Sequence, residues 1–359
     1  MISYGRQNID EDDIAAVVKV LRGDWLTQGP SIEQFEEAVA HYVGAEYAVA
    51  YSSCTSALHG AAAAAGLGPG DSVVTSPLTF MASANAARFV GAQPVLVDID
   101  PHTWNIDMSL VPASAKAVIP VHYGGLPIDL AGRPKGRQII IEDAAHALGA
   151  LTPDGPVGNC AHSDMCCFSF HPVKPITTGE GGMVTTNDSE LANRLRRFRS
   201  HGIVRRPEQG AWFYEIAELG YHYRMTDIQA ALGLSQMRKL DAFISRRNEI
   251  ADRYRNLLIK ANLGLPPEAP ENSRHGYHLF PILVENRRAV FDGLRAANIG
   301  VQVHYVPVHH HPISVDIPQK SVDLPICESI YERLISLPIH PTLTNEDQDF
   351  IVESLLKMI

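Results

Sequence analysis

No two of the five cysteines, Cys54, Cys160, Cys166, Cys167 and Cys327, stand in CxxC spacing. Their number is odd and two are adjacent, so neither a disulfide framework nor a cysteine metal site is expected; reduced thiols in a cytosolic enzyme fit instead. A long basic run is also missing, and the net charge is −10, from 30 basic and 40 acidic residues. Nucleic acid is therefore not an expected partner, although a local pocket can still oppose the global sign and take an anion. No apolar run reaches membrane-spanning length: the most apolar stretch, Ala57 to Leu67, is broken by His59 and by glycines. The opening residues, MISYGRQNIDEDD, show neither the basic nor the apolar region of an export signal, so a cytoplasmic protein without a membrane partner is expected. Fixed-period repeats and low-complexity tracts are absent too.

What remains is 359 residues, 45% of them hydrophobic, enough for a large core and suggestive of one large and one small unit. A helix is expected from Glu11 to Arg22, with Ile14, Val17, Val18 and Leu21 as its apolar face and Gly23 as a stop. A second is expected from Ser31, with Gln34 at capping-box spacing and Ile32, Phe35, Val39 and Tyr42 inward. Short apolar strands then alternate with helices: Tyr47–Tyr51, Val73–Thr75, Pro94–Val97, Ala117–Val121, Gln138–Ile141, Met165–Phe170 and Gly182–Thr186. Such runs indicate a buried, mainly parallel sheet flanked by helices, an α/β fold. Between two of these strands lie only 15 residues, Tyr123 to Arg137, so any crossover helix there is short or absent. A long helical region from Asp227 to Lys260 precedes a smaller α/β unit with strands at Tyr277–Val284 and Val301–Tyr305 and helices after Asn286 and at the C-terminus. The division is set at 1–240 and 241–359.

Chemistry concentrates at strand ends. Lys174, in SFHPVKPITTGEGG, lies just past an apolar strand between Pro172 and Pro175, where neither helix nor strand is comfortable. A lysine there faces the crevice where such sheets bind ligands, and partial burial makes its amine a nucleophile toward carbonyls. Asp143, in QIIIEDAAHALG, ends a core strand, and its buried carboxylate needs a cationic partner such as a protonated pyridine nitrogen. Glu142 is its rival, but adjacent strand residues face opposite ways. SSCTSALHG, Ser52 to Gly60, opens a helix whose free amides, with Thr55 and Ser56, suit a phosphate; Ser169 is a further candidate donor. Phe80 could stack on an aromatic ring, and His146 could orient Asp143 or contact a cofactor oxygen. Each has a plainer reading as a cap, a satisfied strand hydroxyl or core. In HYVPVHHHP, His304 to Pro312, three adjacent histidines lack an accompanying carboxylate or cysteine pattern, so no metal site is expected; substrate contacts or a solvated loop are.

Taken together, these segments resemble the DegT/DnrJ/StrS sugar-nucleotide aminotransferases, fold-type I pyridoxal-phosphate (PLP) enzymes. The likeness runs from LTQGPSIEQFEEAVAHYVGAEYAVAYSSCTSALH through IEDAAHALGA, SFHPVKPITTGEGG and YRMTDIQAALGLSQ to VQVHYVPVHHHP. YGRQNIDEDDI, FHPVKPITTGEGG and RSHGI carry a finer match to members that make pseudaminic acid. That resemblance implies a homodimer with shared active sites, moving an amino group from L-glutamate to C4 of UDP-4-keto-6-deoxy-L-AltNAc. It implies that Lys174 holds PLP as a Schiff base, Asp143 faces the pyridine nitrogen, Phe80 stacks on the ring, and Thr55, Ser56 and Ser169 take the phosphate or cofactor. Tyr4, Asp24, Trp25, Leu26, Thr27, Cys54, Ser169, Gln302, Val303, His304 and Tyr305 match substrate positions. Two departures stand out. His222 replaces the usual Asn that reaches the partner's cofactor phosphate, and the Tyr123–Arg137 connection lacks the usual helix. Dehydratases of this fold carry His in place of the lysine, so Lys174 argues against that activity. A regulatory module would lack Lys174 or Asp143.

Overall fold

The computed structural model describes residues 1–132, 138–317 and 323–359. Its centre is a seven-stranded sheet of β1 (Tyr47–Tyr51), β2 (Ser72–Thr75), β3 (Gln93–Leu96), β4 (Ala117–Ile119), β5 (Ile139–Asp143), β6 (Met165–Ser169) and β7 (Gly182–Thr186). The spatial order is β1-β7-β6-β5-β4-β2-β3, and only β7 is antiparallel to its neighbours. β6 and β7 are buried at every position, which is why both read as unbroken apolar or small-residue runs. The carboxyl ends of the six parallel strands thus lie on one rim, with the turn after β1 at Ser52 and Ser53, Phe80 after β2, Asp143 at the end of β5 and Lys174 after β6 all arriving there.

Helices α2 (Pro30–Val43), α3 (Cys54–Ala64), α4 (Ala82–Phe89), α5 (Ser189–Phe198) and α6 (Asp227–Met237) cover the sheet. α2 buries Ile32, Phe35, Val39 and Val43, each contributing about 1.5–3 kcal/mol of transfer free energy. It begins one residue before Ser31, at Pro30, and no Ser31–Gln34 capping box forms: Asp227 caps it from afar, accepting the amides of Gly29 (2.8 Å) and Ser31 (3.0 Å). α1 (Glu11–Leu21) corrects a second expectation. Ile14 and Leu21 are exposed, and the buried side chain is Asp13, which accepts from Gln236 (2.8 Å) and Lys239 (2.8 Å). This polar contact ties the helix to α6, while Val17 and Val18 of the expected face are half-buried.

The helical stretch after Asp227 breaks into α6 and α7 (Leu240–Leu258). α7, α8 (Arg287–Ala296) and α10 (Asn345–Leu356) pack with β8 (Phe280–Leu283) and β9 (Leu334–Leu337) around one apolar cluster that includes Ile250, Phe280, Leu294, Ile335 and Ile351. β8 pairs with β9, a strand the sequence pattern does not announce, whereas Val301–Tyr305 forms no strand and only Gln302 bridges Ser336. A separate cluster joins Leu78, Leu96 and Tyr123 near the sheet to Val308, Cys327 and Leu334, the last two on or beside α9 (Pro325–Arg333). Core packing therefore crosses residue 240. In the short connection after β4, a 3₁₀ turn at Tyr123–Gly125 replaces a helix; residues 133–137 lie outside the described residues. A hairpin of Ile203–Arg205 and Tyr214–Ile216 projects with Trp212 78% and Leu219 80% exposed. Among the described residues no helix is long and apolar enough to cross a membrane.

Candidate active site

Strand register explains how distant residues meet. Gly182 sits opposite both Tyr51 and Ser169, so it lies between the start of α3 and the end of β6. A Cβ on Gly182 would meet Ser53 O at 2.4 Å and Cys54 N at 2.6 Å, so the α3 amino terminus closes onto the sheet only over a glycine. Ser53 caps α3 and takes the Ser56 amide (3.1 Å), while Ser56 Oγ returns to the Ser53 amide (3.0 Å). The amides of Cys54 and Thr55 have no acceptor among the described residues, and they form an anion-binding terminus. Ser56 is thus engaged as a capping-box hydroxyl, whereas Thr55 is half-buried beside the free amides.

Asp143 is buried at the carboxyl end of β5. Its carboxylate accepts from Ser83 Oγ (2.6 Å) and the Ala145 amide (3.1 Å), and among the described residues no cationic side chain lies at ion-pair distance. Glu142 faces elsewhere, held by His122 Nε2 (2.8 Å) and by the Ser163 hydroxyl, which removes the rival. Lys174 follows β6. The residue is half-buried, but its amine lies deep, and burial pushes its pKa down from 10.5 to about 8, against the opposing pull of Cys54 and Asp143. His278 Nε2 lies 3.4 Å from Lys174 Nζ, and its ring is 4.5 Å from that of His146. Burial, then the Lys174 charge, holds both imidazoles well below the usual histidine range. His146 does not orient Asp143: its Nε2 pairs with the Tyr305 hydroxyl (2.9 Å), and Ser83 performs the orienting. Burial similarly lowers His304 to about 4, its Nδ1 bonded to Ser336 Oγ (3.0 Å) and its ring 5.2 Å from Tyr4.

These residues form one cluster: Lys174, Asp143, Cys54, His146, His304, Tyr305 and Tyr4. Phe80 stands at its mouth, 60% exposed, with its ring 5.9 Å from Tyr305. Ser169 is buried and accepts the His171 amide at 3.4 Å. Gln302 and Val303 lead into the cluster, with the Gln302 carbonyl bonded to Ser336 N (2.8 Å). Asp24, Trp25, Leu26 and Thr27 form an exposed segment tied by the Thr27–Thr226 bridge, and His222 is exposed, stacked at 5.4 Å on His201. Within the single chain the contacts of these five residues do not reach Lys174. Sequence reasoning missed Ser83 and His278, which meet their partners across 60 and 104 residues. The histidine run is corrected as well: His309 and His310 both bond a carboxylate, Glu328.

A buried carboxylate with neutral donors but no cation, a buried amine with a depressed pKa, and an open helix terminus over a glycine fit the three poles of PLP. The DegT/DnrJ/EryC1/StrS aminotransferase family model matches residues 7–356, and the chain belongs to that family. A UDP-4-amino-4,6-dideoxy-N-acetyl-beta-L-altrosamine transaminase of Campylobacter jejuni is 36% identical over 375 residues, covering 100% of this chain and 98% of that protein. A UDP-4-amino-4-deoxy-L-arabinose–oxoglutarate aminotransferase of Shewanella sediminis is also 36% identical, over 379 residues, covering 99% and 97%. The solved structure of Helicobacter pylori PseC, an aminotransferase of pseudaminic-acid biosynthesis, superposes with a TM-score of 0.93 at 31% identity over 99% of this chain and 98% of that one. Similar solved structures include PLP and PMP forms. The protein is a PLP-dependent sugar aminotransferase with the α/β fold of that enzyme class.

Proposed function

We propose that the enzyme moves the amino group of L-glutamate to C4 of UDP-4-keto-6-deoxy-L-AltNAc, giving 2-oxoglutarate and UDP-4-amino-4,6-dideoxy-L-AltNAc in cytoplasmic pseudaminic-acid synthesis for surface polysaccharide. The observation that carries the chemistry is the pairing of a buried, cation-free Asp143 with a buried Lys174 amine in one cluster. Lys174 is the attachment residue. Asp143 holds the pyridine nitrogen, Phe80 covers the ring, and Thr55, Ser169 and the α3 amides hold the phosphate, with Ser56 fixing that terminus as its capping-box hydroxyl. Bound PLP supplies an electron sink that acidifies the donor's Cα–H. The Lys174 amine, neutral in part near pH 8, takes the Cα proton, and His278 Nε2 accepts a hydrogen bond from that amine and keeps its lone pair aimed. Ser83 and the Ala145 amide keep the Asp143 carboxylate fixed. Tyr4, Cys54, His304 and Tyr305 shape the sugar pocket.

The exposed hairpin side chains Trp212, Tyr214, Ile216 and Leu219 are apolar surface of the kind a partner covers, which supports a homodimer. His222 at the base of that segment then reaches the partner's phosphate, and Asp24–Thr27 complete the substrate pocket. A panel of UDP-, GDP- and dTDP-4-keto sugars with glutamate, followed by 2-oxoglutarate release, tests the substrate. Turnover of the UDP-linked N-acetyl sugar alone is expected; reaction with only GDP or dTDP sugars would contradict it. The equal identity of the arabinose enzyme favours a second reading, a different UDP-4-keto sugar, and a UDP-4-keto-pentose in the same panel separates the two.

A further inference from the structure

The geometry points to a divalent transition-metal site, of the zinc class, formed by His309, His310 and Glu328. His309 Nε2 lies 2.5 Å and His310 Nε2 2.8 Å from the same oxygen, Glu328 Oε1, and the three ligand atoms lie within 4.8 Å of one another. Consecutive residues ordinarily point apart. Here a 3₁₀ turn, Val308–His310, brings the two rings to 4.6 Å, edge to face, both aimed at one point. Each ligand element is anchored without help from an ion. The fully buried Val308 donates its amide to Pro77 O (2.9 Å), and Asp98 accepts the amides of Ile326 (2.8 Å) and Cys327 (3.0 Å) at the start of α9. The donors are therefore held in advance, and tetrahedral zinc at ~2.0–2.2 Å from each requires only that they part by about 0.5–1 Å. Two imidazole nitrogens and one carboxylate oxygen suit zinc over magnesium or calcium, with water in the remaining position. Side-chain exposures of 16%, 35% and 38% give the ion a path from solvent.

The ion is structural. Its ligands touch neither Lys174 nor Asp143, but the turn that carries them follows directly on Gln302–Tyr305, so binding clamps one wall of the active site to α9. The test is Zn²⁺ titration of chelator-stripped holoenzyme by calorimetry, with metal counted after gel filtration. Wild type is expected to hold one more equivalent per chain than either His310→Ala or Glu328→Gln, and to gain thermal stability with Zn²⁺ that both variants lose. Binding at the residual sites should be weaker by roughly tenfold or more. The Glu328→Gln change keeps side-chain volume, so it tests the site even if His310→Ala folds poorly. Equal zinc content in wild type and Glu328→Gln, or no zinc retained by wild type, overturns the assignment.

Discussion

Asp143 is a buried carboxylate whose donors among the described residues are Ser83 Oγ and the Ala145 amide. Removing the hydroxyl leaves a carboxylate oxygen short of a donor inside the protein, at a cost of about 1–3 kcal/mol. Ser83→Ala is accordingly expected to weaken PLP binding to the cofactor-free protein by roughly tenfold or more, read by fluorescence titration. Unchanged affinity would separate Ser83 from the site. Lys174 gives a prediction with a definite sign. Its folded pKa is about 8, below the unfolded value, so between about pH 8 and 10.5 the unfolded chain binds the extra proton and stability rises with pH. Below that window the native state carries a buried charge. Cofactor-free Lys174→Met should melt higher than wild type at pH 7, and the difference should shrink toward pH 10. Lys174 and Asp143 were legible because proline punctuation and strand ends mark them locally. Ser83 and His278 were not, since a serine inside SPLTFMASAN and a histidine ahead of an apolar strand look like ordinary helix and core until the chain folds.

At the level of elements, Asp227 couples two helices. It opens α6 while its fully buried carboxylate accepts two amides at the start of α2. Asp227→Ala is expected to cost about 2 kcal/mol or more and lower the melting temperature by several degrees, with Asp227→Asn costing less. Because the Gly29 amide follows Asp24–Thr27, the same variant should raise KM for the sugar more than it lowers kcat; an unaltered KM would detach that segment from substrate binding. Strands were legible from their apolar runs, since nearly every position of β1, β6 and β7 is buried. The packed face of α1 was not. Ile14 and Leu21 of its apolar stripe are exposed, Val17 and Val18 only half-buried, and a buried Asp13 makes a polar contact that hydrophobic periodicity is blind to. β9 also escaped, because four residues between two helices carry too little pattern to set them apart.

For the whole molecule, the proposed homodimer builds each site from two copies, Lys174 coming from one chain and His222 from its partner. Lys174→Ala and His222→Ala, each crippled alone, should regain activity when unfolded together and reassembled, because half the dimers are mixed and each mixed dimer holds one intact site, roughly a quarter of the wild-type sites. Recovery no greater than the sum of the parents would place both residues in one chain's site. The central claim is simpler: residues 31 positions apart, Asp143 and Lys174, are brought by β5 and β6 to one PLP molecule, with the amine as its attachment. Borohydride reduction of the yellow holoenzyme followed by peptide mass spectrometry measures this directly. A reduced pyridoxyl-phosphate adduct on Lys174 and on no other lysine, lost in Lys174→Ala, is the predicted result; an adduct on a different lysine, or none, would contradict it.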